Sequence, residues 1–290
     1  MIKNTSIHLV YFIGFILGGL LLSQLILFLS LSMSGDIGLA QMQDSAGWVQ
    51  QLSGRQLMTQ QLISQVCSLI LPCFLLHKFF MKDASFSLGG VIEPKLLFKS
   101  LIFFLLLMPL VGLSAYLNQL VPVSDWVINS ETQMLELMKK MFHSKTTLDF
   151  LMALVVIAII PAIAEEWAFR GVLQNYLMLL TGKKWIGLLL ASILFSAVHM
   201  QFLGFLPRFI LGWILGFIFL RTGNLWYSIF LHFINNATQL VAIYAIQDHS
   251  LDSLLEKSEM PNLFAVSICT LLAIWFGIIA FKSKLKIAHA

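Results

Sequence analysis

The stretch PAIAEEWAFRG, residues 161–171, places Glu165, Glu166 and Arg170 directly after LMALVVIAII, one of the most apolar runs of the chain. A charged side chain near the middle of a membrane-spanning helix costs on the order of 2.5 to 3.5 kcal/mol, so these three need partners or a task. Glu166 and Arg170 are four apart, share a helix face and can form an ion pair. Glu165 lies about 100 degrees round the helix from Glu166 and is left without a local cation. Two further polar islands supply candidates. FSAVH sets Phe195 and His199 four apart, and HFINN sets His232 and Asn236 four apart, so each pair falls on one helical face. A carboxylate and an imidazole flanking one water can take its proton as it attacks a carbonyl carbon. A second imidazole and an amide N–H can hold the oxyanion that develops. Together these steps describe hydrolysis of an amide by an activated water. The same side chains are ordinary zinc ligands, and a zinc-bound water would serve equally well as nucleophile. The H-E-x-x-H signature of zinc peptidases is absent from the sequence.

Blander readings exist for each feature. A helix that ended at the motif, capped by Gly171 and bent by Pro161, would carry its charges into water. Against this, VLQNYLMLL stays largely apolar for two more turns before TGKK. A single intramembrane histidine is often a packing or interhelical hydrogen-bonding group. Two of them, with an unpaired glutamate and an amide, are harder to explain by packing. Asn235 lies off the face of His232 and reads as a helix-packing group. Cys67, Cys73 and Cys269 sit in apolar runs, where a thiol serves as a small hydrophobe, so no disulfide framework is indicated.

These residues must be positioned by membrane helices. Of the 290 residues 59% are hydrophobic and 11% charged, a balance far from that of soluble domains. Eight apolar segments can be drawn, at about 6–33, 57–80, 96–120, 148–170, 185–200, 204–220, 225–247 and 262–281. The pattern predicts an all-α integral membrane protein, a bundle of about eight transmembrane helices forming one domain over 1–290. No ten-residue alternation suggests a barrel. At about 1.5 Å per residue, Glu165 is roughly 27 Å from Lys183, His199 and Asn236 each roughly 22 Å from Lys184 and Arg221 respectively, and His232 roughly 16 Å from Arg221. All four therefore fall in one layer. Before the fourth segment, SETQMLELMKKMF opens with a capping-box pattern, Ser130 and Gln133, and sets Met134, Leu135, Met138, Met141 and Phe142 on one stripe, which predicts a short amphipathic helix on the membrane surface.

The three motifs, E-E-x-x-x-R as EEWAFR, F-x-x-x-H as FSAVH and H-x-x-x-N as HFINN, resemble in type and order those of the CPBP family of intramembrane proteases, also called the Abi family, which includes the Ras-converting type of CAAX endopeptidase. The resemblance covers about residues 148–240; the first 147 residues show only a compatible span pattern. It implies that Glu165 and His199 activate the water, that His232 and Asn236 form the oxyanion site, and that Glu166, Arg170 and Phe195 support them. It implies as substrate a membrane-associated or prenylated protein or peptide, and the lipid bilayer as partner. The family has been described both as zinc metalloproteases and as metal-independent glutamate proteases; the residues favour the second, because asparagine is a poor zinc ligand. Two other classes stay open: a non-catalytic immunity or scaffold protein of the same fold, and a proton-coupled carrier, although no inverted repeat is visible.

The net charge of +4 is modest, forms no basic cluster and points to no nucleic-acid partner. Lys and Arg assigned to alternate sides of eight spans divide eleven to six, with Arg170 set aside. The basic side faces the cytoplasm, so both termini are placed there, in the plasma membrane of a bacterium. Reporter fusions or cysteine labelling at the two ends test this. Both ends should report the cytoplasm, and ends on opposite sides would remove one of the eight spans.

Overall fold

The structure is a computed structural model and describes residues 2–34, 49–80, 89–142, 146–245 and 259–282. The described residues are helical and contain no strand. The helices are α1 (Ile2–Ser34), α2 (Gly54–Gln65), α3 (Leu71–Phe80), α4 (Pro94–Gln119), α5 (Asp125–Phe142), α6 (Thr147–Ala153), α7 (Ile160–Glu166), α8 (Asn175–Thr181), α9 (Lys184–Ala197), α10 (Phe205–Thr222), α11 (Leu225–Ala245) and α12 (Leu263–Ala280). α2 and α3 form one continuous rod through a wide π-helical turn at Val66–Ile70, and α6, α7 and α8 form another through π-helical turns at Leu154–Ile159 and Trp167–Gln174. All eight apolar segments of the sequence are therefore helices. Six of them are long and apolar enough to cross a membrane. α9 is apolar but only 14 residues long, and α11 spans 21 residues but carries the HFINN polar residues.

Two local expectations are corrected. α5 begins at Asp125 rather than at Ser130, because its first turn already closes onto the Ser124 carbonyl through the Val127 and Ile128 amides. The Ser130 hydroxyl instead donates to the Trp126 carbonyl one turn earlier, so it does not act as a cap. Leu135 and Phe142 of the predicted stripe are buried, whereas Met134 is exposed, and the helix packs on α2 and α6. The second correction concerns the segment 185–200. α9 ends at Ala197, which leaves His199 in the turn beyond it.

The helix that carries the EEWAFR motif does not stop at the charges. It runs on through Gly171 to Thr181, where Gly182 adopts the left-handed conformation (φ 65°) that ends a helix without a Cβ clash. The π-helical turns before and after α7 each admit an extra residue per turn and rotate the following side chains. Pro161 stands in the first turn of α7, directly after the π-helical turn, and its missing N–H takes one backbone donor out of the continuous rod.

The interior is built around α10, half of whose apolar span is buried, against 22% for α1. Leu211, Ile214, Leu215 and Ile218 of α10 pack against Phe103 and Phe104 of α4, Tyr227 and Leu231 of α11, and Ala273 of α12. With lipid tails as apolar as leucine, helices associate through close packing at small residues. Gly187 shows this. A Cβ there would lie 2.6 Å from the backbone nitrogen and 2.8 Å from the Cα of Met178, so α8 and α9 touch backbone to backbone. Gly187→Ala must push the two helices apart and should lower stability by about 1 to 3 kcal/mol. Thermal unfolding in detergent measures this, and an unchanged midpoint would show that the contact is slack.

Candidate active site

Glu165 sits near the end of α7, with its carboxylate 12% exposed. Its two oxygens have different surroundings. Oε2 lies 4.0 Å from Nε2 of His199 and 3.8 Å from Nε2 of His232, while Oε1 accepts a 3.4 Å hydrogen bond from Nε2 of Gln65. Residues 165, 199 and 232, carried by α7, the turn after α9 and α11, are thus brought together.

Both imidazoles are oriented by their other nitrogen. Nδ1 of His199 is 2.7 Å from the Phe195 carbonyl, one turn back, so Nδ1 carries the proton and donates it there. Nδ1 of His232 is 2.9 Å from Oε1 of Glu166 and likewise donates. Each ring therefore presents Nε2 to Glu165. Fixing a histidine tautomer through its remote nitrogen is the usual way a protein sets the chemistry of the working one.

The second glutamate is fully buried. Oε1 of Glu166 accepts from Nη1 of Arg170 at 2.6 Å as well as from His232, and Nη2 of Arg170 donates to the Gly212 carbonyl of α10 at 2.9 Å. The Arg170 guanidinium also lies 4.4 Å from the centroid of the Phe195 ring, a cation–π contact in a buried setting. Phe195 in turn meets His199 and His232 edge-on, with centroids 5.2 and 5.9 Å away. The F-x-x-x-H spacing thus serves two ends: the Phe195 carbonyl orients His199, and the Phe195 ring walls the cluster.

Asn236 stands one turn beyond His232 on α11, and no hydrogen bond joins it to Glu165 or to either histidine. Its Nδ2 donates weakly to the Ile157 carbonyl in the π-helical turn before α7, at 3.4 Å, and its Oδ1 accepts from Nδ2 of Asn235 at 3.3 Å. With Oδ1 engaged, the amide presents N–H groups. Asn235, set aside on the helical wheel, therefore orients its neighbour. Gln65 was also missed, since α2 carries four glutamines, Gln56, Gln60, Gln61 and Gln65, and no motif singles one of them out.

His199 lies in the turn that links α9 to α10, and polar side chains from other helices hold this turn. Asn118 of α4 donates to the Phe202 carbonyl at 2.8 Å and accepts from the Leu206 amide at 2.7 Å, and Glu131 of α5 accepts from the Leu203 amide at 3.0 Å. Arg208 closes the turn on itself through the carbonyl and side-chain oxygens of Gln201. The residue after His199, Met200, takes φ 54°, a left-handed conformation uncommon for a side chain of this size. The packed core thus delivers Glu165 and His232, whereas a tethered turn delivers His199.

Glu165, His199 and His232 are the donor types that hold zinc in catalytic sites. Donors about 2.0 to 2.1 Å from a tetrahedral zinc lie about 3.3 Å apart, closer than the 3.8 and 4.0 Å between Oε2 of Glu165 and the two Nε2 atoms. Among the described residues no group of three or more His, Cys, Asp or Glu side chains is arranged to hold a metal ion. A water hydrogen-bonded to both partners can bridge the observed separation.

Comparison with known proteins agrees with the geometry at the level of family. Two curated relatives are 32% identical over 99 residues and 35% identical over 88 residues: an uncharacterized 24.3 kDa protein of Escherichia coli and the uncharacterized protein YpbD of Bacillus subtilis. These stretches cover 33% and 29% of this chain, and 46% and 42% of the relatives, so the likeness spans less than half of either. No solved structure matches the chain. The family model for type II CAAX prenyl endopeptidase Rce1-like proteins matches residues 147–238, which run from the start of α6 past Asn236. That match assigns the core of this multi-pass membrane protein, residues 147–238, to the family of CAAX-type proteases that its three motifs resemble.

Proposed function

We propose that this protein is an intramembrane endopeptidase that hydrolyses a peptide bond in a membrane-associated or lipidated protein or peptide. One observation carries the reading: the Glu165 carboxylate faces the Nε2 atoms of two oriented histidines inside a helical bundle. A water held between Glu165 and His199 loses a proton to Glu165 as its oxygen attacks the carbonyl carbon. His199, with Nδ1–H donated to the Phe195 carbonyl, keeps its Nε2 lone pair available to orient that water. The negative charge moves to the carbonyl oxygen, where donors from His232 and Asn236 receive it. Because Nδ1–H of His232 is committed to Glu166, the ring can donate from Nε2 only as the imidazolium. Glu166, hydrogen-bonded to Nδ1 of the ring, offsets that charge. The proton held by Glu165 then passes to the leaving amine, and the peptide bond breaks.

Because an asparagine is a poor zinc ligand, we propose a reaction without metal and no cofactor. Activity that vanished with chelator and returned with zinc would instead give the same residues roles as ligands. We further propose a bacterial plasma-membrane location with the substrate approaching through the bilayer. The two bacterial relatives support the location, the basic asymmetry of the sequence supports cytoplasmic termini, and the enclosure of the site by apolar helices supports entry through the bilayer.

The roles separate by mutation on a verified substrate. Glu165→Gln and His199→Ala should abolish cleavage while leaving the protein folded, and wild-type cleavage by Glu165→Gln would remove the proposed base. Asn236→Ala, which deletes one oxyanion donor, should lower turnover by about 10² to 10³. Glu166→Ala and Arg170→Ala should behave differently, because each strands a fully buried charge. The expected destabilisation is on the order of 3 to 5 kcal/mol, read as lost thermal stability together with lost activity. Stable, inactive Arg170→Ala protein would instead place Arg170 in the chemistry.

A further inference from the structure

We propose that Gln65, supplied by α2 from outside the 147–238 core, is a positioning residue for the Glu165 carboxylate. The inference rests on the reading of Glu165 as the base and assigns the group that selects its working oxygen. Nε2 of Gln65 donates to Oε1 of Glu165 at 3.4 Å, while Oε2 is the oxygen turned to both histidines. A carboxylate rotates about its terminal bond at little cost, so one donor on one oxygen fixes which lone pairs meet the water. The contact joins residues 100 positions apart, which makes it a product of the tertiary fold.

The backbone beneath Gln65 is held for such a role. Gln65 is the last residue of α2, and the π-helical turn Val66–Ile70 begins immediately after it. α1 presses on that turn at Gly19, where a Cβ would lie 1.9 Å from the Cys67 carbonyl oxygen and 2.9 Å from the Ser68 Cα. The turn therefore cannot relax toward α1. The energetics also point away from simple packing. Oε1 of Gln65 is buried with no hydrogen-bond partner among the described residues, and an unused buried acceptor is destabilising. Leucine would fill the same space without that cost, and what the amide supplies in exchange is the hydrogen bond to Glu165. Reversing the amide would set Oε1 against a carboxylate oxygen, which fixes the assignment of Nε2 as the donor.

The test compares full-length wild type, Gln65→Leu, Gln65→Met and a control, Gln61→Leu, which changes an amide one turn earlier on the same helix. Glu165→Gln is measured beside them. On a cleavable peptide, Gln65→Leu should lower kcat by about 10- to 100-fold with KM nearly unchanged, and Gln61→Leu should match wild type. The infrared band of the Glu165 carboxyl, identified by its loss in Glu165→Gln, should shift in both Gln65 variants and stay in place in Gln61→Leu. The flexible, apolar methionine carries the same test should leucine destabilise the protein. If Glu165→Gln cleaves normally, the base is misassigned, while the infrared shift still reports whether Gln65 holds the carboxylate. If Glu165→Gln is inactive and the Gln65 variants keep both the wild-type band and kcat, the positioning role is wrong.

Discussion

The fully buried contact between Glu166 and Arg170 is the constraint on which the rest of the arrangement depends. An unpaired charge in that position would cost several kcal/mol, and although Oε2 of Glu166 is buried without a partner among the described residues, the pair draws on further hydrogen bonds. His232 of α11 and the Gly212 carbonyl of α10 supply two of them. The pair therefore dictates how closely these two helices approach the motif helix and which way the His232 ring points. The phenyl face of Phe195 over the guanidinium adds α9 to the same assembly. Four helical segments are thus tied to one ion pair, and the neighbouring Glu165 is carried to the inner ends of the two histidines as a consequence. In the proposed mechanism Glu166 and Arg170 work through structure and Glu165 through chemistry, with a single peptide bond between the two glutamates.

Much of this is legible in the sequence, for identifiable reasons. Hydropathy alone gives the eight apolar helices, because a chain that must satisfy every backbone group in lipid has few alternatives to helix. The i to i+4 spacing of Glu166 and Arg170 gives their ion pair. Estimated depth places Glu165, His199, His232 and Asn236 in one layer; Oε2 of Glu165 does lie 4.0 and 3.8 Å from the two histidines, whereas Asn236 bonds to Ile157 and Asn235 instead. What the sequence does not yield is the identity of contacts made across the fold. Gln65 lies 100 residues from Glu165, in a rod without a motif, and only packing reveals it. The link from His232 to Glu166 escapes notice because local spacing already gives Glu166 a partner in Arg170. The start of α5 is misread because the capping-box pattern at Ser130 is satisfied equally well by a serine inside a helix bonding back to Trp126. Helical periodicity likewise continues past Ala197, although the chain turns there to deliver His199.

The two histidines are held in different ways. His232 is enclosed in the core and bonded to a buried carboxylate, whereas His199 is 30% exposed and sits in a turn secured by Asn118, Glu131 and Gln201. In the proposed mechanism an extended peptide needs access to one side of the attacking water, and the turn carrying His199, 30% exposed against 4% for His232, is the more open side. Under the proposed mechanism the division keeps the oxyanion donor His232 rigid and sets the substrate-facing His199 on a tethered loop.

The central claim is that the buried cluster hydrolyses peptide bonds with water and without metal. The most direct measurement is mass spectrometry of a peptide library, including free and prenylated C-terminal peptides, incubated with purified protein in the presence of a chelator. The account predicts paired fragments whose masses sum to the parent plus one water, formed at the same rate with and without chelator. Peptides that remain intact in both conditions, or fragments that form only when zinc is supplied, would contradict it.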